Sequence, residues 1–291
     1  MLRSLLFTPA NHPRRVEKAL TQGAADAAIL DLEDAVPILE KVPTRAVVAE
    51  ALRTPRRTRA YVRVNGVDTP WFFGDLDGVV GPGLDGIMLP KTGSAAMLYL
   101  ADRYLSHLER ERGLAPGSVE LLPLIETGEG MANLREICGC RIARVRRVSF
   151  GAGDFTIDLG FTWTAAEQEL LVMRTYLTVY SRTGGLEPPI DTVYGHIHDR
   201  EGFEASCRRG RELGFQGRLC IHPDQVEPAN RSYSPSPEEI AWAEDVVAAF
   251  TAAEAQGVAS IQVRGQLIDY ANAMQAQRLL QRVAATPTTT G

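Results

Sequence analysis

The 291-residue chain has only four cysteines, and Cys138 and Cys140 stand one residue apart, closer than zinc-ligand spacing allows. So few thiols in so long a chain also exclude a disulfide framework, which leaves Cys138, Cys140, Cys207 and Cys220 as reduced structural residues. No apolar run reaches the roughly 18 to 20 residues a membrane helix requires, because charged residues interrupt each candidate, and no membrane partner is expected. Pro9, Asn11 and His12 follow the opening apolar residues too soon for a secretory leader, so residues 1–7 read as a first strand and the protein as cytoplasmic. Positive charge is not in excess either. Lys and Arg total 31 against 36 Asp and Glu, the net charge is -5 and the pI is near 5.6. With no basic stripe, nucleic acid is excluded as the expected partner and small molecules are favoured.

What is present is an ordinary globular composition. With 45% hydrophobic and 23% charged residues, the chain can bury a large core as one α/β barrel or as two smaller domains. Short apolar, β-branched segments alternate with helical patterns as far as Val226, the mark of repeated βα units and a parallel sheet. The segments at 4–8, 27–32, 60–64, 86–89, 120–125, 147–150, 190–194 and 218–221 make eight, the number that closes a (β/α)8 TIM barrel over residues 1–233. Between them, residues 43–52 and 95–112 read as amphipathic crossover helices.

The pattern changes at Ser234. Residues 238–256 form a long Ala-rich helix stopped by Gly257, the segments 260–263 and 266–268 flank Arg264-Gly265 as a hairpin, and 271–283 reads as a final helix. This C-terminal helical and hairpin extension covers 234–285, and 286–291 is expected to be a disordered tail.

The active site of such a barrel lies at the C-terminal ends of its strands, so the polar residues that follow each apolar run are the candidates. They are Asp31, Glu33 and Asp34 after strand two, Arg63 and Asn65 on strand three, Lys91 after strand four, Glu126 after strand five and Asp154 after strand six. Asp191 lies near the start of strand seven, and His222 follows strand eight. Glu126 and Asp154 come from neighbouring strands, and two oxygen donors with open positions suit magnesium, which keeps waters and takes substrate oxygens. Taken singly, Asp31, Glu33 and Asp34 are as easily read as salt-bridge or helix-capping residues. Arg63 sits on an apolar strand and needs an anion, either a substrate carboxylate held bidentately or an internal pair with Asp31 or Glu33. His196 and His198 share one face of the seventh βα loop; a metal site is one reading of them and a supporting loop role the other.

Eight motifs occur in order along the chain: Leu5-Leu6-Phe7-Thr8-Pro9-Ala10-Asn11, Leu30-Asp31-Leu32-Glu33-Asp34-Ala35-Val36-Pro37, Val62-Arg63-Val64-Asn65-Gly66, Met88-Leu89-Pro90-Lys91, Leu124-Ile125-Glu126-Thr127, Gly151-Ala152-Gly153-Asp154-Phe155, Ile221-His222-Pro223-Asp224-Gln225-Val226 and Gly265-Gln266-Leu267-Ile268-Asp269. As an ordered set they resemble the citrate lyase beta-subunit-like branch of the HpcH/HpaI aldolase family. The resemblance departs at Gly153, where a polar residue is common, at Phe155 in place of an aliphatic, and at the His196-Ile197-His198 loop.

The resemblance implies a Mg2+-dependent carbon-carbon lyase with Glu126 and Asp154 as metal ligands and Arg63 as the substrate-carboxylate clamp. Asp269 would be a catalytic acid/base delivered from a neighbouring subunit by the extension. Asp31, Glu33 and Asp34 would surround the metal waters, Asn11 and Arg14 would meet coenzyme A phosphates, and Asp34 and Asp191 are taken as further substrate-binding candidates. The implied substrates are β-hydroxy acyl-CoA thioesters or 2-oxo acids, and the implied assembly is a homo-oligomer, a trimer or hexamer. Two rivals stand beside this reading: a malyl-CoA-type thioesterase, and a coenzyme A or acyl-carrier-binding subunit of a citrate lyase-like complex.

Overall fold

The computed structural model describes residues 1–284, and the tail expected to be disordered at 286–291 lies outside them. Residues 2–233 form one compact unit, and residues 234–284, with Met1, belong to a second.

The first unit is a closed barrel of eight parallel strands in sequence order: β1 (Ser4–Pro9), β2 (Ala27–Asp31), β3 (Arg59–Arg63), β4 (Gly86–Leu89), β5 (Glu120–Ile125), β6 (Ser149–Phe150), β7 (Ile190–Asp191) and β8 (Gly217–Cys220). β8 pairs with β1 to complete the ring. The strands are predominantly apolar in their middles because both faces are buried there, with polar and charged residues at their ends. Alternate residues Leu5, Ile29, Tyr61, Met88, Leu122, Leu124, Ile190 and Leu219 fill the barrel interior. Their neighbours Leu6, Leu30, Val62, Ile87, Leu121 and Ile125 face outward and pack with Val16, Val48, Leu76 and Leu98 of the surrounding helices.

β6 and β7 are shorter than the sequence suggests, and for β7 the reason is visible. Beyond Asp191, Arg218 donates to the carbonyl of Val193 at 3.2 Å and the Gln225 amide to that of Tyr194 at 3.0 Å. Side chains thus take carbonyls that a longer ladder would use. The expected crossover helices are present at Lys41–Arg53 and Ala95–Glu111.

In the second unit, the helix Pro237–Glu254 starts with a capping box: Ser236 Oγ accepts from the Glu239 amide at 3.2 Å, and the Glu239 carboxylate accepts from the Ser236 amide at 2.7 Å. β9 (Ile261–Val263) and β10 (Gln266–Ile268) form an antiparallel hairpin. Its two turn residues, Arg264 (φ 51°) and Gly265 (φ 80°), are both left-handed, as a type I′ turn demands. The final helix is Tyr270–Ala284. Ala243, Val246, Phe250, Val263, Ile268, Ala273 and Ala276 form this unit's own core. No helix among the described residues is long and apolar enough to cross a membrane.

Candidate active site

A cavity of about 430 Å³ opens at the C-terminal ends of the strands. The alternation that fills the barrel decides which residues reach it. Inward positions continue from Leu5 to Phe7, from Ile29 to Asp31, from Tyr61 to Arg63, from Leu124 to Glu126, from Ile190 to Thr192 and from Leu219 to Ile221, and the second member of each pair lines the cavity. Asp34, Gly151, Gly153, Asp154 and Val193 complete its polar rim and apolar wall.

Glu126 is buried, and its Oε1 accepts the main-chain N–H of Lys91 at 2.8 Å. Gly151 makes room for it, since a Cβ there would lie 2.6 Å from Glu126 Oε2. Burial pushes the Glu126 carboxyl up to about 8; Glu33 and Asp154 add to the rise while Arg63 opposes it. Asp154 stands in the first turn of the helix Ala152–Leu159 with its side chain about one-third exposed. A buried carboxylate and a half-open one therefore face one cavity, with negative charge in excess. That donor set fits a hard divalent cation completed by water and substrate oxygens. Groups of three or more Asp, Glu, His or Cys arranged to hold a metal are absent among the described residues.

Arg63 meets both anions that its strand position allows. Its Nε and Nη2 donate to Asp31 Oδ1 and Oδ2 at 2.8 and 2.6 Å, and its Nη1 is 2.9 Å from Glu33 Oε2. The internal pair is therefore formed, while the guanidinium still lines the cavity, 4.8 Å below the Phe7 ring. Asp31 in turn accepts the amides of Glu33 and Ala35, which shapes the acidic loop after β2. Lys41, buried beneath that loop, donates to the carbonyls of Leu32 and Glu33 and to Asn65 Oδ1 at 3.0, 2.6 and 2.7 Å. Asp34 lies at the rim and is mostly exposed.

Not every expected residue comes to this mouth. Asp191, taken from the sequence as substrate-binding, is not among the residues lining the cavity. Ile190 faces the interior, so alternation turns Asp191 outward, where it is fully buried with Arg174 at 2.9 Å and Arg218 at 3.4 Å. Asn11 donates to Glu40 at 2.7 Å, and Arg14 is exposed on the helix Pro13–Thr21; neither lines the cavity. His196 and His198 are exposed on the loop after β7, and His196 lines a separate cleft with Trp163 and Tyr194. Asp269, in the second unit, caps the last helix by accepting the amides of Ala271 and Asn272 at 2.9 and 3.1 Å.

One residue that stands on a strand end without an assigned role, Lys91, is central here. Lys91 bonds Glu33 and lies 3.2 Å from Asp154 and 3.6 Å from Asp34. Glu33 joins it to Arg63. Strand alternation from Met88 would turn Lys91 outward; its left-handed backbone (φ 48°) lets the side chain reach the carboxylates of the mouth instead. A second cleft, of about 280 Å³, lies at the opposite barrel end. Of its charged groups, Glu120 is paired with Arg147 and Arg144 with Glu109.

A family model described as HpcH/HpaI aldolase/citrate lyase matches residues 3–223. The chain is 34% identical to the citrate lyase subunit beta of Leuconostoc mesenteroides subsp. cremoris, over 96% of this chain and 92% of that one. It is also 34% identical to an L-malyl-CoA/beta-methylmalyl-CoA lyase of Cereibacter sphaeroides (96% and 94% covered), and 35% identical to a (3S)-malyl-CoA thioesterase of the same species (97% and 95%). Among solved structures it resembles the CitE protein of Mycobacterium tuberculosis in complex with magnesium, acetoacetate and coenzyme A, with a TM-score of 0.77, 28% identity and 97% of both chains covered. A barrel mouth with paired carboxylates at the ends of adjacent strands, together with a family match over three-quarters of its length, places the chain in the HpcH/HpaI aldolase/citrate lyase family.

Proposed function

We propose that the protein is a magnesium-dependent carbon-carbon lyase that cleaves or forms a β-hydroxy acyl-CoA thioester of the malyl, citramalyl or citryl type. The observation that carries this reading is the convergence of Glu126, Asp154 and Arg63 on one cavity at the strand ends. Glu126 and Asp154 would hold the metal, which when bound lowers the pKa of the substrate hydroxyl and stabilises the carbonyl product. Arg63, fixed by Asp31 and Glu33, presents its guanidinium to the substrate carboxylate without having to reorganise. Phe7, Leu124, Val193, Leu219 and Ile221 form an apolar wall that keeps water from the reacting carbons. The hydroxyl proton passes to solvent at the open mouth as the C–O bond becomes the product carbonyl. The Cα–Cβ pair leaves on the thioester half as an enolate, and Asp269 is the group assigned to protonate it, or to remove that proton in the condensing direction.

Asp269 belongs to the second compact unit, and this reading has it act on the site of a neighbouring copy in a homo-oligomer, a trimer or hexamer. Exposed apolar residues on the barrel support such an assembly: Ile157, Leu171, Val172, Tyr176 and Val179 are each more than 40% exposed. Four free, buried cysteines fit a cytoplasmic setting.

A thioesterase is the second reading, favoured by the 35% identity to the malyl-CoA thioesterase, because the same carboxylates and arginine serve a water attack on the thioester carbon. One assay separates the two. Malyl- and citramalyl-CoA are incubated with the pure protein and Mg2+, and products are followed by chromatography and by free thiol. The lyase gives acetyl-CoA with glyoxylate or pyruvate and no thiol. Stoichiometric thiol with malate or citramalate would overturn it. Turnover that appears only when an acyl-carrier partner is added would make the chain a subunit of a complex.

A further inference from the structure

We propose that Lys91 is a tethered counter-cation that shares Asp154 with the incoming metal and so keeps metal binding weak and reversible. The inference rests on the assignment of Glu126 and Asp154 as the metal ligands.

Five carboxylates, Asp31, Glu33, Asp34, Glu126 and Asp154, crowd this mouth, with Arg63 and Lys91 as the cations among them. The two cations are held differently. Arg63 is only 11% exposed and locked bidentately onto Asp31. Lys91 has a side chain that is 43% exposed, a compact charge at the end of a four-carbon stem, and it touches Glu33, Asp34 and Asp154 at once. One residue therefore engages both metal ligands, its main-chain N–H on Glu126 and its ammonium on Asp154. A divalent cation that takes Asp154 Oδ2 must displace the ammonium from that oxygen, and one that takes Oδ1 meets its charge close by, while Glu33 and Asp34 retain the ammonium. The left-handed backbone at Lys91, unusual for a residue with a Cβ, places both groups where one residue can reach both carboxylates. Lys91 is here a positioning residue: it holds Asp154 before the metal arrives and yields it afterwards.

The test is calorimetric titration of the full-length protein with MgCl2 at low salt, comparing wild type, Lys91→Met and Lys91→Arg. Loss of a neighbouring positive charge should tighten Mg2+ binding by Lys91→Met about tenfold, with the gain shrinking as KCl screens the cluster. Lys91→Arg should bind as wild type does. Unchanged or weaker binding by a folded Lys91→Met would overturn the proposal. Absence of Mg2+ binding by wild type would instead overturn the metal assignment beneath it. The chain has three lysines, Lys18, Lys41 and Lys91, so wild type offers a second readout that does not depend on a variant folding. In carbon–proton spectra of the lysine ε-methylenes, the Lys91 signal should move saturably with Mg2+, with the exposed Lys18 as a fixed reference. A Lys91 signal that stays still at saturation would also overturn the proposal.

Discussion

Two charged clusters lie in this barrel, one at the mouth and one beneath the helices outside β7 and β8, and they are built to opposite ends. At the mouth, five carboxylates face two cations around an open cavity. In the outer cluster Glu167 and Asp191 meet Arg174, Arg209 and Arg218, and Glu167, Asp191, Arg174 and Arg218 are all sealed from solvent. Burial acts on both clusters, yet two glutamates move in opposite directions. Burial raises Glu126 to about 8 with Glu33 and Asp154 adding to it, whereas Glu167, despite burial, is held down at about 2 by Arg174 and Arg218. The four sealed groups, two carboxylates against two arginines, match in charge and hold the fold together; the open cluster, with charge left over, is prepared for a ligand.

The largest effect that would test this contrast is at the mouth. Asp154→Asn and Glu126→Ala should each lower magnesium-dependent turnover by about a thousandfold or more, with melting temperatures near wild type, because strand-end carboxylates contribute more to function than to the core. Steady-state kinetics beside thermal melts check it, and collapse of the fold in both variants would erase the distinction. Asp191→Ala should do the reverse. It leaves Arg174 and Arg218 buried with Glu167 as the one remaining sealed carboxylate, at a cost of about 3–5 kcal/mol, with Mg2+ affinity of the folded fraction retained. Denaturant titration with calorimetry measures both quantities.

The pH dependence should differ between the clusters as well. Metal binding must displace the proton that Glu126 carries below about 8, so apparent Mg2+ affinity should rise about tenfold per pH unit up to that point and level off above it. The raised carboxyl also stabilises the metal-free fold most below its unfolded value of 4.5, a contribution lost as pH rises through about 8. Glu167, depressed, contributes above 4.5 and loses its share as pH falls toward about 2. Potentiometric proton release on Mg2+ addition separates the two, and release near zero at pH 7 would count against the Glu126 assignment.

The smallest structural effect should come at Asp269. Asn caps a helix as well as Asp, so Asp269→Asn should leave stability unchanged, whereas Asp269→Ala should cost about 1 kcal/mol. If Asp269 is also the proton carrier, both variants lose turnover alike. Mixing Asp269→Asn with Glu126→Gln should then restore part of it, provided subunits exchange.

The eight strands, the crossover helices and the extension with its hairpin were legible because each has a local cause: continuous apolar runs, helical spacing, a capping pair at Ser236 and Glu239, and the Arg264-Gly265 turn. Glu126, Asp154, Arg63 and Asp34 were legible as polar residues ending such runs, and all four line the cavity. Asp191 misled because a carboxylate near a strand looks the same whether its side chain points into the barrel or out of it. Counting alternation from Ile190 would have turned it away from the mouth, but β7 is too short for its phase to be read with ease.

The sequence by itself therefore determined the number of strands, the breadth of the core and the set of carboxylates available at the strand ends, since these depend on composition and spacing within a few residues. Tertiary structure decided which charges meet. Arg63 is joined to Asp31 and Glu33, Lys91 to Asp154, and Asp191 to Arg174 and Arg218 only when closure of the barrel brings residues 17 to 63 positions apart in sequence to within hydrogen-bond or ion-pair distance. Charge pairing falls off over a few ångströms in space and is indifferent to distance along the chain.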